Sequence, residues 1–220
     1  MDQPPPFAPQ AVVFDLDGVL VDTEQLWGRA ERRLVESFGV AWDPALRPRL
    51  LGRGPADAAL VLAEHVGLPD RADLVEARLQ EAAVGEFRSR LEPRPGARPL
   101  VTALVSHMPL AVATNSRRAL AELSLGVAGF ADCFAAVVSA DEVDDPKPAA
   151  GPYAAACRRL GVEPGRTVAI EDSPVGVASA KTAGLWVVGC PSLPGEDMGA
   201  ADALVRRLDD IDPARLAAGR

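Results

Sequence analysis

Ala11 to Leu16 reads AVVFDL, an apolar and β-branched run that breaks into acidic residues and Gly18. Such a run predicts a buried strand followed by a tight loop. The period then changes. Leu26, Ala30, Leu34 and Phe38 fall four apart, Trp27 and Val35 lie beside them, and Gly39 closes the run. This spacing predicts an amphipathic helix with a glycine stop. Asp43-Pro44 marks another helix start, limited by Pro48, and helical patterns recur over Asp57 to Val66 and Asp70 to Leu91. No strand-like run appears between 23 and 91.

Beyond Pro93, Pro95, Gly96 and Pro99, which read as a linker, the pattern alternates. Strands are predicted at 110–114, 135–139, 167–170 and 185–188, with a short last one at 203–205. Helices are predicted at 117–125, 149–160 and 175–183, and a terminal helix from Pro213. Strand–helix alternation predicts an α/β fold, a Rossmann-like core with a doubly wound parallel sheet. The helical block interrupts it after the first strand and reads as an inserted all-helical domain. The expected organisation is a sheet core of 11–22 and 92–220, a helical insert of 23–91 and a flexible N-terminal tail of 1–10.

Composition narrows the function. With 48% hydrophobic and 25% charged residues, the chain of 220 is neither wholly disordered nor a disulfide miniprotein. A net charge of −8 disfavours nucleic acid and anionic membrane as partners. No apolar run approaches the roughly 18 residues of a membrane span, and the proline-rich start lacks the features of a signal peptide. Three cysteines without a CxxC pair suit reduced thiols, so the expected location is cytoplasmic. No partner protein is implied.

Ligands of open parallel sheets bind beyond the carboxyl ends of the strands. Asp15, Asp17, Gly18 and Asp22 follow the first predicted strand, and Thr114, Asn115 and Ser116 the second. The acidic stretch Asp141–Asp145 and then Lys147 follow the third, and Glu171, Asp172 and Ser173 the fourth. Ionised carboxylates brought together repel, and a hard cation such as Mg²⁺ relieves that. Thr114, Asn115 and Lys147 add donors and positive charge, which describes a site for a phosphoryl group that an Asp can attack. Lys147 is one of two lysines, with Lys181, among 23 basic residues, which suggests a need for a compact point charge.

The ordered set DLDGVLVD, TNS, KP and EDSPVGVASAKTAG resembles the haloacid dehalogenase superfamily, in its helical-cap subfamily of phosphatases and β-phosphoglucomutase-like enzymes. The resemblance covers the chain beyond residue 10. It implies Asp15 as nucleophile and Asp17 as general acid/base. It implies Thr114 and Lys147 as phosphoryl ligands, with Asn115 beside them. It implies Mg²⁺ held by Asp15, Asp172 and a main-chain carbonyl near Asp17, with Glu171 in support. The chain departs from the family at Pro146, where glycine is usual, and at Ala150-Gly151, where Pro-Asp is usual.

The activity implied is Mg²⁺-dependent hydrolysis of a small phosphate monoester, such as a sugar phosphate, through an aspartyl-phosphate. Relatives on this fold differ at readable positions. A dehalogenase lacks the second Asp. A phosphonate hydrolase needs a cap lysine, and 23–91 contains none. A β-phosphoglucomutase carries a His in the first cap helix, where this chain has Trp27, and also a cap Lys. A receiver domain is shorter and carries its phosphorylated Asp after the third strand, and a dinucleotide enzyme would show GxGxxG after the first. A non-catalytic scaffold protein would have lost a carboxylate. Arg53, flanked by glycines in the cap block, is the candidate substrate contact. Ser116 and Asp22-Thr23-Glu24 read as helix caps, Lys181 as a solvated position, and the acidic stretch as a solvated loop.

Overall fold

The structure, a computed structural model, describes residues 3–51, 53–193 and 195–219. In chain order the elements are β1 (Ala11–Phe14), α1 (Glu24–Ser37), α2 (Arg47–Leu50), α3 (Pro55–His65) and α4 (Ala72–Arg90). Then follow α5 (Ala97–Leu104), β2 (Leu110–Ala113), α6 (Arg118–Val127), β3 (Ala136–Val138), α7 (Gly151–Leu160) and β4 (Thr167–Glu171). The chain finishes with α8 (Pro174–Thr182), β5 (Trp186–Gly189), β6 (Ala203–Leu204) and α9 (Pro213–Ala218). They form two compact units, one of residues up to Val21 and from Pro93 onward, the other Asp22–Glu92. No described helix is long and apolar enough to cross a membrane.

In the first unit six parallel strands run in the order β3-β2-β1-β4-β5-β6. β1 is central, with Val13 opposite Ala111 on one side and Ala169 on the other. Every residue of β1, β2 and β4 is buried, which is why their sequences are continuous apolar runs without alternation. Val13, Ala111, Ala169 and Val187 share a core with Tyr153 and Ala156 of α7 and Val177 and Ala180 of α8. Each large side chain buried there contributes roughly 1.5–3 kcal/mol of transfer free energy.

In the second unit α4 packs against both α1 and α3. Leu26, Ala30, Leu34 and Val35 form the buried stripe of α1, and Val75, Leu79, Ala83 and Phe87 that of α4. Trp27 meets Phe87 edge to face at 5.4 Å. Pro48 lies in the first turn of α2, where no backbone N–H is needed.

Three expectations change. The region read as a proline linker contains α5, with Pro99 at its third position, where the missing N–H falls among groups that have no helical partner anyway. Thr23 precedes α1 without a side-chain capping bond. The N-terminal segment expected to be flexible is tied to the sheet unit. Gln10 N donates to Arg166 O (2.8 Å), Gln10 Oε1 accepts from Glu163 N (3.0 Å), and Pro4, Pro5 and Pro9 are buried.

Candidate active site

The strand order reverses direction between β1 and β4, so the loops beyond their carboxyl ends diverge and leave a crevice. Asp15 directly follows β1, Glu171 ends β4 and Asp172 comes next. One carboxylate oxygen of each lies within 4.8 Å of the others, and all three residues are buried. Lys147 Nζ donates to Asp15 Oδ1 (2.5 Å) and Glu171 Oε1 (2.6 Å). Tyr153 of α7 donates its hydroxyl to the same Glu171 oxygen (2.7 Å), and its ring centroid lies 5.0 Å from Nζ. Glu171 Oε2 accepts from Asp172 N (3.0 Å), Ser173 N (3.4 Å) and Ser173 Oγ (3.3 Å).

Two glycines make room for this cluster. A Cβ on Gly18, where φ is +82°, would lie 1.8 Å from Asp172 Oδ2. A Cβ on Gly176 in α8 would lie 1.8 Å from Glu171 Oε1. The glycines of DLDG and SPVG are therefore needed for carboxylate space, besides any backbone freedom.

Burial pushes the Asp15 carboxyl well above its ordinary range, Lys147 opposes this, and Glu171, Asp172 and Asp17 add to it. Burial and then Glu171 push Asp172 up to about 7. Burial alone would lower Lys147, but Asp15 and Glu171 outweigh it and hold the ammonium above its ordinary value. Three buried carboxylates and one ammonium leave two negative charges uncompensated when all are ionised. An all-oxygen donor set with that deficit fits a hard divalent cation.

Asp17 stands apart from the trio. Its Oδ2 accepts from Ser116 Oγ (2.8 Å) and Thr114 Oγ1 (3.3 Å), while Oδ1 is buried with no partner among the described residues. The Asn115 amide grips the Lys147 main chain at both ends, Nδ2 to Lys147 O (3.1 Å) and Oδ1 from Lys147 N (2.9 Å). Asn115, expected beside the phosphoryl group, thus uses its side chain to hold the lysine loop.

A model of haloacid dehalogenase-like hydrolases matches residues 9–184. The chain belongs to the haloacid dehalogenase-like hydrolases. It is 33% identical over 177 residues to a phosphorylated carbohydrates phosphatase of Thermotoga maritima, covering 80% of this chain and 82% of that one. It is 32% identical over 204 residues to a bifunctional riboflavin kinase/FMN phosphatase of Arabidopsis thaliana, covering 91% of this chain. The match spans about half (54%) of that longer relative. A crystal structure of CbbY from Rhodobacter sphaeroides in complex with phosphate superposes with a TM-score of 0.82 at 28% identity, covering 92% of this chain and 96% of that one.

Within this hydrolase fold the departures from the family pattern have local causes. A Cβ at residue 151 would lie 2.3 Å from Asp145 O, so the loop approaches α7 where only Gly151 fits. Lys147 still reaches Asp15. The acidic stretch is structured and lies outside the carboxylate trio. Glu142 bonds Ser139, Arg118 and Arg159, and Asp141 accepts from Arg118 N. Lys181 is paired with Asp202 (2.7 Å) instead of free in solvent. Arg53 is exposed in the helical unit, its Nε donating to Arg49 O (2.6 Å), and its neighbour Gly52 lies outside the described residues. Ser116 does not cap α6, which starts after Arg117, and its hydroxyl goes to Asp17 instead. Tyr153 and Gly176 had no chemical signal in the sequence, since their roles come from helices that pack beside Glu171.

Proposed function

We propose that this chain is a Mg²⁺-dependent phosphatase of small phosphate monoesters such as sugar phosphates. The observation that carries this reading is Asp15 itself, at the end of the central strand with one oxygen held by Lys147. That leaves Oδ2 to attack phosphorus. The P–O bond to the alcohol breaks as the aspartyl-phosphate forms, and Asp17 gives the departing oxygen a proton. Asp17 then takes a proton from a water that attacks the aspartyl-phosphate, releasing inorganic phosphate and restoring Asp15. Lys147 offsets charge on the phosphoryl oxygens, while Thr114, expected to do the same, gives its one hydroxyl proton to Asp17 Oδ2. Mg²⁺, when bound by Asp15, Asp172 and a main-chain carbonyl near Asp17, neutralises phosphoryl charge. Glu171 supports that ion indirectly, since both its oxygens already accept hydrogen bonds.

The phosphatase name of the Thermotoga maritima relative and the phosphate complex of the CbbY structure support the substrate class. Trp27 packed on Phe87, and no lysine between 23 and 91, favour hydrolysis over mutase chemistry. Substrate choice is assigned to the helical unit, with Arg53 as its nominated anion contact. Three unpaired thiols, Cys133, Cys157 and Cys190, support a reducing, cytoplasmic location.

The test is phosphate release from a panel of sugar, polyol and nucleoside monophosphates. Turnover of at least one ester, stopped by chelator and restored by Mg²⁺, is expected. Full activity in excess chelator, or a zinc requirement, would overturn the reading. Arg53→Ala should raise KM or reorder the panel, and an unchanged profile would remove Arg53 from the proposal.

A further inference from the structure

We propose that Ser116 is a positioning residue for Asp17, holding it so that the other carboxylate oxygen, Oδ1, handles the transferred proton. This rests on the phosphatase reading above and adds a residue to its proton-transfer step. The Ser116 hydroxyl donates to Asp17 Oδ2 at 2.8 Å, and Thr114 Oγ1 reaches the same atom at 3.3 Å. Thr114 Oγ1 also accepts from Ser116 N at 3.0 Å, so the Thr114 hydroxyl is tied to the Ser116 main chain. Both residues are buried, at 4% and 1% exposure. Ser116 is tied further by Ala140 N donating to its carbonyl (3.2 Å).

The arrangement divides the labour of one carboxylate. Two donors on Oδ2 fix the rotation of the group. Oδ1, buried and without a partner among the described residues, keeps its full acceptor capacity and a fixed direction. A general acid must lie within hydrogen-bond reach of the atom it protonates, so a group free to rotate would be wrongly aimed much of the time. The sequence TNS thus carries one residue on each side of Asn115 for Asp17, while Asn115 itself holds Lys147.

The discriminating measurement is the rate of Asp15 phosphorylation in single turnover, for two esters of different leaving group. An alkyl phosphate needs its leaving oxygen protonated; p-nitrophenyl phosphate needs this far less. Ser116→Ala should slow phosphorylation by the alkyl ester about 10-fold or more and by the aryl ester much less, with KM little changed. Ser116→Thr, which keeps the hydroxyl, should recover most of the loss. Circular dichroism and the thermal midpoint report whether Ser116→Ala is folded.

An equal loss on both esters would overturn the assignment, as would a raised KM at unchanged phosphorylation rate, which marks a direct phosphate contact. Failure of Ser116→Thr to recover a loss shared by both esters would mark a packing role and also overturn it. The alkyl ester is one that the panel shows to be turned over; if the panel yields none, the phosphatase reading falls and the inference with it.

Discussion

The two units bury carboxylates under different rules. In the helical unit, Glu86 lies between Arg33 (2.8 Å) and Arg90 (3.8 Å), and Glu31 is reached by Arg47 (3.2 Å). Those arginines are 64%, 60% and 34% exposed, so each buried charge is joined to solvent by a long side chain. In the sheet unit, Asp15 and Glu171 share Lys147, whose side chain is 5% exposed. Asp172 has no ion-pair partner among the described residues. The helical unit neutralises itself with its own residues. The sheet unit keeps a deficit of positive charge when its carboxylates are ionised, which protonation or a bound cation relieves.

The comparison breaks most decisively at Asp15. Asp15→Asn keeps the shape, removes a nucleophile and one buried negative charge, and should lower turnover by at least roughly 10³-fold. The thermal midpoint should hold or rise. Turnover above a trace would show that the charge deficit serves something other than covalent catalysis.

Glycines sharpen the contrast next. Gly176→Ala drives a methyl into the Glu171 carboxylate and should cost about 1–3 kcal/mol in urea unfolding, with loss of turnover. Gly85→Ala, on an exposed face of α4, would meet only Arg33 Nη1, at an ordinary 3.7 Å. It should stabilise by up to roughly 1 kcal/mol, because alanine loses less backbone entropy in a helix. Equal destabilisation by both would mean that the sheet-unit glycine is not special.

Millimolar Mg²⁺ should raise the thermal midpoint of the unsubstituted protein by several degrees, since an ion bound only to the folded state stabilises it. Asp172 is held up at about 7, so above that pH its ionisation works against folding. Asp172→Asn should therefore raise the midpoint at pH 8 without Mg²⁺ and abolish the Mg²⁺-induced rise. Calorimetric titration with Mg²⁺ reads the same loss without turnover.

The smallest effect lies in the helical unit. Burial holds the Glu31 carboxyl up at about 7, against an ordinary 4.5, with Arg47 opposing and Glu24 adding to the rise. The folded state thus binds this proton more tightly than the unfolded chain. The resulting stability is complete below about pH 4.5 and is lost as the pH rises through about 7. Glu31→Gln should flatten this part of the curve when unfolding is followed at pH 5, 6, 7 and 8. An unchanged slope would mean that Arg47, shared with Glu24, already neutralises Glu31.

Much of the sheet unit was legible because its strands are buried on both faces, so AVVF, LAVA and TVAIE stand out as apolar runs. Asp15, Glu171 and Asp172 were legible because such sheets deliver the residues at the strand ends to one crevice, and Lys147 because it is one of only two lysines and follows the third strand's loop. The helix α5 was illegible because prolines dominate 93–99, and a proline's effect depends on its position in the first turn, which the sequence does not mark.

The sequence by itself determined the alternation of elements, the order of the motifs and the chemistry available at each strand end. These are local properties, carried by period, residue type and spacing. Only the tertiary structure decided what each side chain does there. Ser116 and Thr114 fasten one oxygen of Asp17, Asn115 spends its amide on Lys147, and Tyr153 lies under the same ammonium. Gly176 is small because Glu171, five residues earlier on the neighbouring strand, needs its space. Such choices depend on distances between separate elements, fixed when helices pack on the sheet, and a hydroxyl or glycine read along the chain carries no sign of which neighbour it will meet.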